Sequence, residues 1–184
     1  MEEDQRSVED EYRALREAYR RKPQQEAPQP WRRIQLYING LTAVGFGPGT
    51  ELLLVLSHSG LGVVDCVTGR VVARDAEDRD LPDGGFPVWA PGIGPLAGQR
   101  VPLMGLWGGG LRTMAPDGWV IHRAAPNWPL ECAVLCPPHA HEIEDHGDAT
   151  VLLKDLDPEI RAIGFSDSGK TLVVANTELH LWNR

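Results

Sequence analysis

A mostly β chain, folded as antiparallel meanders behind an N-terminal α-helix, is what three features of this sequence predict. Gly 20 and Pro 15 among 184 residues amount to about one residue in five, above the usual share of roughly one in eight. So many chain reversals favour strands. Short apolar runs alternate with clusters of Gly, Pro, Asn, Asp and Ser, the pattern of strands joined by tight turns. The stretch 160–184 also has a copy of itself upstream, at 41–75.

Charge and apolar patterning narrow the function classes. A formal net charge of −8 and a pI near 5.2 argue against nucleic acid as a partner, because phosphate contacts need a basic footprint. The same balance fits a protein that meets a basic partner surface. The longest aliphatic run, 52–56, is far below the roughly 20 residues of a membrane helix, so no membrane is expected. Charges begin at Glu2 with no apolar stretch, so no secretory signal is expected either. Three cysteines at irregular spacing suit a reducing compartment, and the expected location is cytoplasmic.

Residues 1–22 form the helix. Val8, Tyr12, Leu15 and Tyr19 fall on one face, and Ser7 with Asp10 makes a capping box. Acids crowd its start and bases its end, as the helix dipole favours, and Pro23 stops it. Residues 23–30, rich in Pro and Gln, read as a linker that lets the helix sit apart from the body. The β domain then occupies 31–184. Ile34, Leu36 and Ile38 alternate in its first strand. Strands follow up to Phe46, over 52–56, 62–66 and 71–74, as an antiparallel meander. Residues 75–100 read as a long loop, 101–122 return to strands, 127–136 hold one more, and 137–148 form an acidic loop with histidines.

The two copies match residue by residue. Ala43, Val44, Gly45 and Phe46 align with Ala162, Ile163, Gly164 and Phe165; Leu53 to Val55 align with Leu172 to Val174. Past a one-residue gap, Leu61, Val63 and Val64 meet Leu179, Leu181 and Trp182. A third, weaker copy places Leu103-Met104-Gly105-Leu106 at the position of Ala43 to Phe46. The last unit, with its Phe165-Ser166 turn through Gly169-Lys170 and its Leu179-His180-Leu181-Trp182-Asn183 ending, resembles a blade of the WD40-like or YVTN-like β-propellers. Asn183 stands where those blades often carry Asp. That resemblance implies sheets side by side around an axis, with the strand beginning at Trp31 filling the outer place of the last unit. Three copies are fewer than a propeller's roughly four to eight blades. The expectation is an irregular or reduced propeller-like body, or one completed as a homodimer; a plain antiparallel sandwich is the alternative.

No motif points to catalysis. Gly164 to Thr171 matches the phosphate-loop pattern G-x-x-x-x-G-K-T, but that loop must open a helix, and Leu172-Val173-Val174 reads as a strand. A hairpin turn is expected instead. Cys132, Cys136, His139, His141 and His146 form the one metal-like cluster. A strand over 131–136 would hold the two cysteines about 13 Å apart, leaving Cys136 and the three histidines as the feasible zinc set. No nucleophile elbow is present; Ser57-His58-Ser59 and Asp155 with Asp157 read as turn chemistry. The functional expectation is therefore a non-enzymatic protein-interaction module without cofactor. Its contacts lie in 76–100 and 123–149, with Trp89, Trp128, Tyr12 and Tyr19 as anchors. Two alternatives stay open: a small acidic immunity or inhibitor protein that masks a basic toxin or enzyme, and a zinc-binding protein.

Overall fold

The computed structural model describes residues 13–76, 88–138, 140, 148–157 and 159–184. A helix over 13–21 leads into fifteen strands among these residues. They are β1 Arg32–Tyr37, β2 Leu41–Phe46, β3 Leu52–Ser57, β4 Gly60–Asp65, β5 Arg70–Asp75, β6 Trp89–Pro91, β7 Arg100–Pro102, β8 Met104–Gly105, β9 Gly108–Gly109, β10 Val120–Asn127, β11 Leu130–Cys136, β12 Thr150–Leu156, β13 Ala162–Phe165, β14 Thr171–Ala175 and β15 Glu178–Asn183. Three antiparallel meanders result. Sheet 1 runs β2 to β5, sheet 2 runs β10 to β12, and sheet 3 runs β13 to β15 with β1 added at its outer edge.

Strand alternation explains how these sheets stack, because successive side chains point to opposite faces. Leu53 and Val55 of sheet 1 meet Val173, Ala175, Leu179 and Leu181 of sheet 3 in one buried cluster. The opposite face of sheet 3, with Leu172, Val174, Phe165 and Trp182, packs on Ala133, Leu135 and Leu152 of sheet 2. The far face of sheet 1 packs through Leu54, Leu56 and Val63 on Ala90, Ile93, Leu96 and Val101, from the β6–β7 hairpin and its single 3-10 turn, Gly94–Leu96. The far face of sheet 2, with Cys132, Val134, Cys136 and Val151, is covered by Tyr19 and Leu15 of the helix. The layers thus follow one another as hairpin, sheet 1, sheet 3, sheet 2 and helix. Each fully buried aliphatic side chain contributes about 1.5–3 kcal/mol.

One segment ties the inner edges together. β8 pairs with β2 (Ala43 opposite Gly105, Val44 opposite Met104). Arg112 then bridges Phe165 of β13, and Met114 bridges Val120 of β10. Residues 104–120 therefore cross all three sheets as a strap. Gly105 and Gly164 permit it: a Cβ on Gly105 would be driven into the Thr42 carbonyl and Ala43, and one on Gly164 into Leu111 and the Arg112 carbonyl.

The pairing registers of the first and last meanders correspond. Phe46 faces Leu53 and Phe165 faces Leu172; Gly45 faces Leu54 and Gly164 faces Val173. β1 fills the outer place beside β15 over six residue pairs, Arg32–Asn183 to Tyr37–Glu178. The turns correspond as well: Gly47 N–H donates to Leu52 O (2.9 Å) and Ser166 N–H to Thr171 O (2.9 Å). Gly164 to Thr171 is thus a hairpin turn, followed by β14 and not by a helix.

Four expectations are corrected. Gly105 does not begin a third copy; it sits in the two-residue strand β8 against β2, and the third meander starts at Val120. The 23–30 segment does not hold the helix apart: Gln24 bridges Val151, Gln25 N–H donates to Val151 O (2.8 Å), and Lys154 Nζ binds the Arg20 and Lys22 carbonyls. Residues 89–100, read as loop, carry β6, the 3-10 turn and the start of β7, which continues into the expected strand at Val101. Residues 123–136 are mostly the β10–β11 hairpin; Pro126 hides that strand in the sequence and is tolerated because β10 is an edge strand with a register shift there. Among the described residues the sheets form an open row, with no closed barrel or propeller.

Candidate functional site

The β10–β11 turn presents the most exposed large apolar side chain among the described residues. Asn127 pairs with Leu130 at its base, and Trp128 at the tip is 80% exposed. The turn is held from behind. Arg20 Nε donates to Asn127 Oδ1 (2.8 Å) and Arg20 Nη2 to the Pro126 carbonyl (2.9 Å), while Asn127 Nδ2 donates to Asp155 Oδ1 (3.1 Å). Leu15 and Tyr19 face the sheet, so Arg16 and Arg20, four residues apart, line the other side of a shallow cleft with Ala125, Pro126 and Trp128. An indole beside guanidinium groups has the composition of an interaction hot spot. The sequence identified Trp128 by its Pro-flanked position. It missed the two arginines, whose i, i+4 spacing opposite the Leu15–Tyr19 face was the available signal.

The other anchors fall elsewhere. Trp89 is half-buried in β6 with the Arg100 guanidinium 3.9 Å above its ring, a cation–π contact within the chain. Tyr19 is only 4% exposed; its ring lies edge-on to His122 and its hydroxyl stands 3.3 Å from His122 Nε2. It belongs to the core under the helix. Tyr12 lies outside the described residues. A second apolar patch, missed by the sequence reading, lies on the strap: Leu106, Trp107 and Met114 are 44%, 41% and 61% exposed.

The metal-like residues are separated by their strand. Cys132 and Cys136 are both buried under the helix on the far face of sheet 2, with Cys136 Sγ 3.9 Å from His122 Nδ1. Burial pushes the Cys132 thiol above its ordinary value. His139, His141 and His146 lie outside the described residues. Among the described residues no three His, Cys, Asp or Glu side chains gather as a metal site. Asp155, which the sequence placed with Asp157, spends its carboxylate on Asn127.

Charge is unevenly distributed. The described residues carry 16 of the 18 basic side chains but only 13 of the 26 acidic ones, a net of +3. The acidity belongs to 1–12, 77–87 and 141–147, which together hold 13 acids against two arginines. Inside the body, His180 is buried on β15. Burial and the Arg33 guanidinium, whose Nη2 is 3.1 Å from its Nδ1, push its pKa down to about 4. The chain matches no known family model, and no curated protein is significantly similar to it.

Proposed function

We propose that this chain is a non-enzymatic protein-interaction module on a reduced, open β-propeller, with Trp128, Arg16 and Arg20 as its principal contact. The propeller reading is supported by chain order. Sheet 1, the β6–β7 hairpin, sheet 2 and sheet 3 follow one another in sequence, and sheet 3 returns to pack on sheet 1. Every successive pair is in contact except at the strap, where the ring is open. The single observation that carries the functional reading is an indole 80% exposed on a turn held by three side-chain hydrogen bonds. A pre-organised turn loses little entropy on binding.

The test is affinity capture from source-cell lysate with the full chain and with Trp128→Ala. A partner retained by the parent and at least about tenfold depleted with the variant, the loss expected of a Trp hot spot, supports the proposal, provided circular dichroism is unchanged. Equal retention by both, or a measured turnover with no partner, overturns it. A second reading, an acidic inhibitor of a basic toxin or enzyme, is favoured by the clustering of 13 acids in three segments. In that case capture would weaken steeply with salt and be insensitive to Trp128→Ala.

A further inference from the structure

The matched registers of sheets 1 and 3 expose a difference between them. Leu53 faces Val64 as Leu172 faces Trp182, and Val55 faces Gly62 where Val174 faces His180 one step further along the strand. On the face of β15 turned toward sheet 2, Glu178, His180 and Trp182 fill the gap, joined by Arg33 and Gln35 of β1 through His180–Arg33 (3.1 Å) and Gln35–Glu178 (2.6 Å) bonds. On the corresponding face of β4, Gly60, Gly62 and Val64 stand at those positions. At Gly62, where His180 stands on β15, a side chain is therefore missing between sheets 1 and 3; Gly60, with φ +96°, is required by the turn, since a Cβ there would meet the Asp75 carbonyl.

What remains is a cleft of about 350 Å³, at the lower end of the roughly 300–1,000 Å³ found for small-ligand sites. Val55, Leu61, Val64 and Val71 supply apolar walls, with Tyr37 and Ile38 across from them at the end of β1. Ser57, Ser59 and Asn39 add neutral polar groups. Among the described residues the one ion on the lining is Arg74, opposite Gly62 on the edge strand β5. Its guanidinium makes no hydrogen bond or ion pair with any described residue. A side chain on Gly62 would meet only the Ala73 carbonyl, at 3.8 Å, so the space is open for lack of a side chain and not because the backbone demands glycine there.

We infer that the cleft between sheets 1 and 3 is a binding site for a small organic anion with an apolar body, its carboxylate on Arg74 and its tail between Val55, Val64 and Ile38. Apolar walls with a single guanidinium at the exposed rim favour that chemistry: a neutral apolar molecule forgoes the charge-assisted bond to Arg74, and a multiply charged one buries charge without partners. The site is independent of the Trp128 contact, which lies on sheet 2.

Octanoate and its neutral analogue 1-octanol are the probes, titrated into the full chain by heteronuclear NMR with calorimetry. Octanoate is expected to bind with a Kd of order 1 mM or below, shifting the resonances of Val55, Gly62 and Val71. Octanol should bind at least about tenfold more weakly, and Arg74→Gln should weaken octanoate by a similar factor. Gly62→Leu fills the cleft and should abolish binding while melting at or above the parent temperature, since glycine is a poor strand residue. Three results overturn the assignment: no octanoate response at about 10 mM, ten times a millimolar Kd; octanoate binding unchanged in Gly62→Leu; or octanol bound as tightly as octanoate.

Discussion

Asn183 is a buried position at which sheets 1 and 3 are locked by polar atoms, and Asn183→Asp tests that lock. The residue is 9% exposed. Its Oδ1 accepts from the fully buried Thr171 hydroxyl (2.7 Å), and its Nδ2 donates to the Cys66 carbonyl at the end of β4 in sheet 1. An amide can do both. A carboxylate keeps the Thr171 bond and strengthens it, but turns an acceptor toward an acceptor at Cys66. Losing the donor costs about 1 kcal/mol, and a buried charge facing an unpaired carbonyl costs about 1–3 kcal/mol more. The expected loss at pH 7.5 is about 2–4 kcal/mol, measured by urea unfolding beside the parent.

The pH dependence has a definite sign. Burial and the Cys66 carbonyl disfavour ionisation, so the introduced carboxyl has a folded pKa above its unfolded value of roughly 3.9. When protonated it can donate to Cys66 as the amide does. The variant's deficit is therefore smallest below about pH 4 and grows by about 1.4 kcal/mol per pH unit until the folded pKa is reached. A deficit under about 0.5 kcal/mol at pH 7.5, or one that grows on acidification, would refute the reasoning.

Gly45→Val should cost at least about 1–3 kcal/mol in thermal or urea unfolding, because its Cβ collides with the Pro102 carbonyl at the end of β7; a neutral outcome would mean β7 does not press on β2. His180, with its pKa pushed down to about 4, is depressed relative to the ordinary value near 6.5. Its contribution is complete above about pH 6.5 and lost as pH falls toward 4, on the order of 3 kcal/mol. Arg33 on one side disfavours the proton, and Glu178 at 3.4 Å on the other is nearer solvent. An NMR titration of the His180 ring with a midpoint above 6 would contradict this.

What was legible in the sequence was local and repeated. Leu53 to Val55 with Leu172 to Val174, and the glycines before Phe46 and Phe165, fixed two meanders and the outer place of β1, because apolar alternation and turn chemistry act over a few residues. The third copy was not legible. Gly105 lies near the midpoint between Gly45 and Gly164, but it is small because β8 lies against Thr42 and Ala43, a requirement of close approach and not of repetition. Sheet 2 was obscured by Pro126, which breaks the strand pattern yet sits on an edge. Of the candidate site, Trp128 could be read from its neighbours. Arg16 and Arg20 required knowing which face of the helix is buried, and the Gly60–Gly62 cleft became visible only when the two registers were laid side by side.

The ends of the row bear on whether two copies could complete one ring, as three units per chain would suggest. Both end faces are already occupied: Tyr19 and Leu15 close sheet 2, and the β6–β7 hairpin closes sheet 1. Open stacks of repeated units need such caps to stay soluble. Joining two rows face to face would first expose Tyr19, Cys132, Val134 and Cys136, at a cost of about 1.5–3 kcal/mol for each large side chain uncovered. The full chain should therefore sediment at its monomer mass of 20.3 kDa at micromolar concentration. Removal of residues 1–22 should convert it to concentration-dependent association through the uncovered face of sheet 2. A full chain that sediments as a stable dimer would refute this expectation, and a dimer in which hydrogen exchange shows the helix displaced would reverse the capping argument behind it.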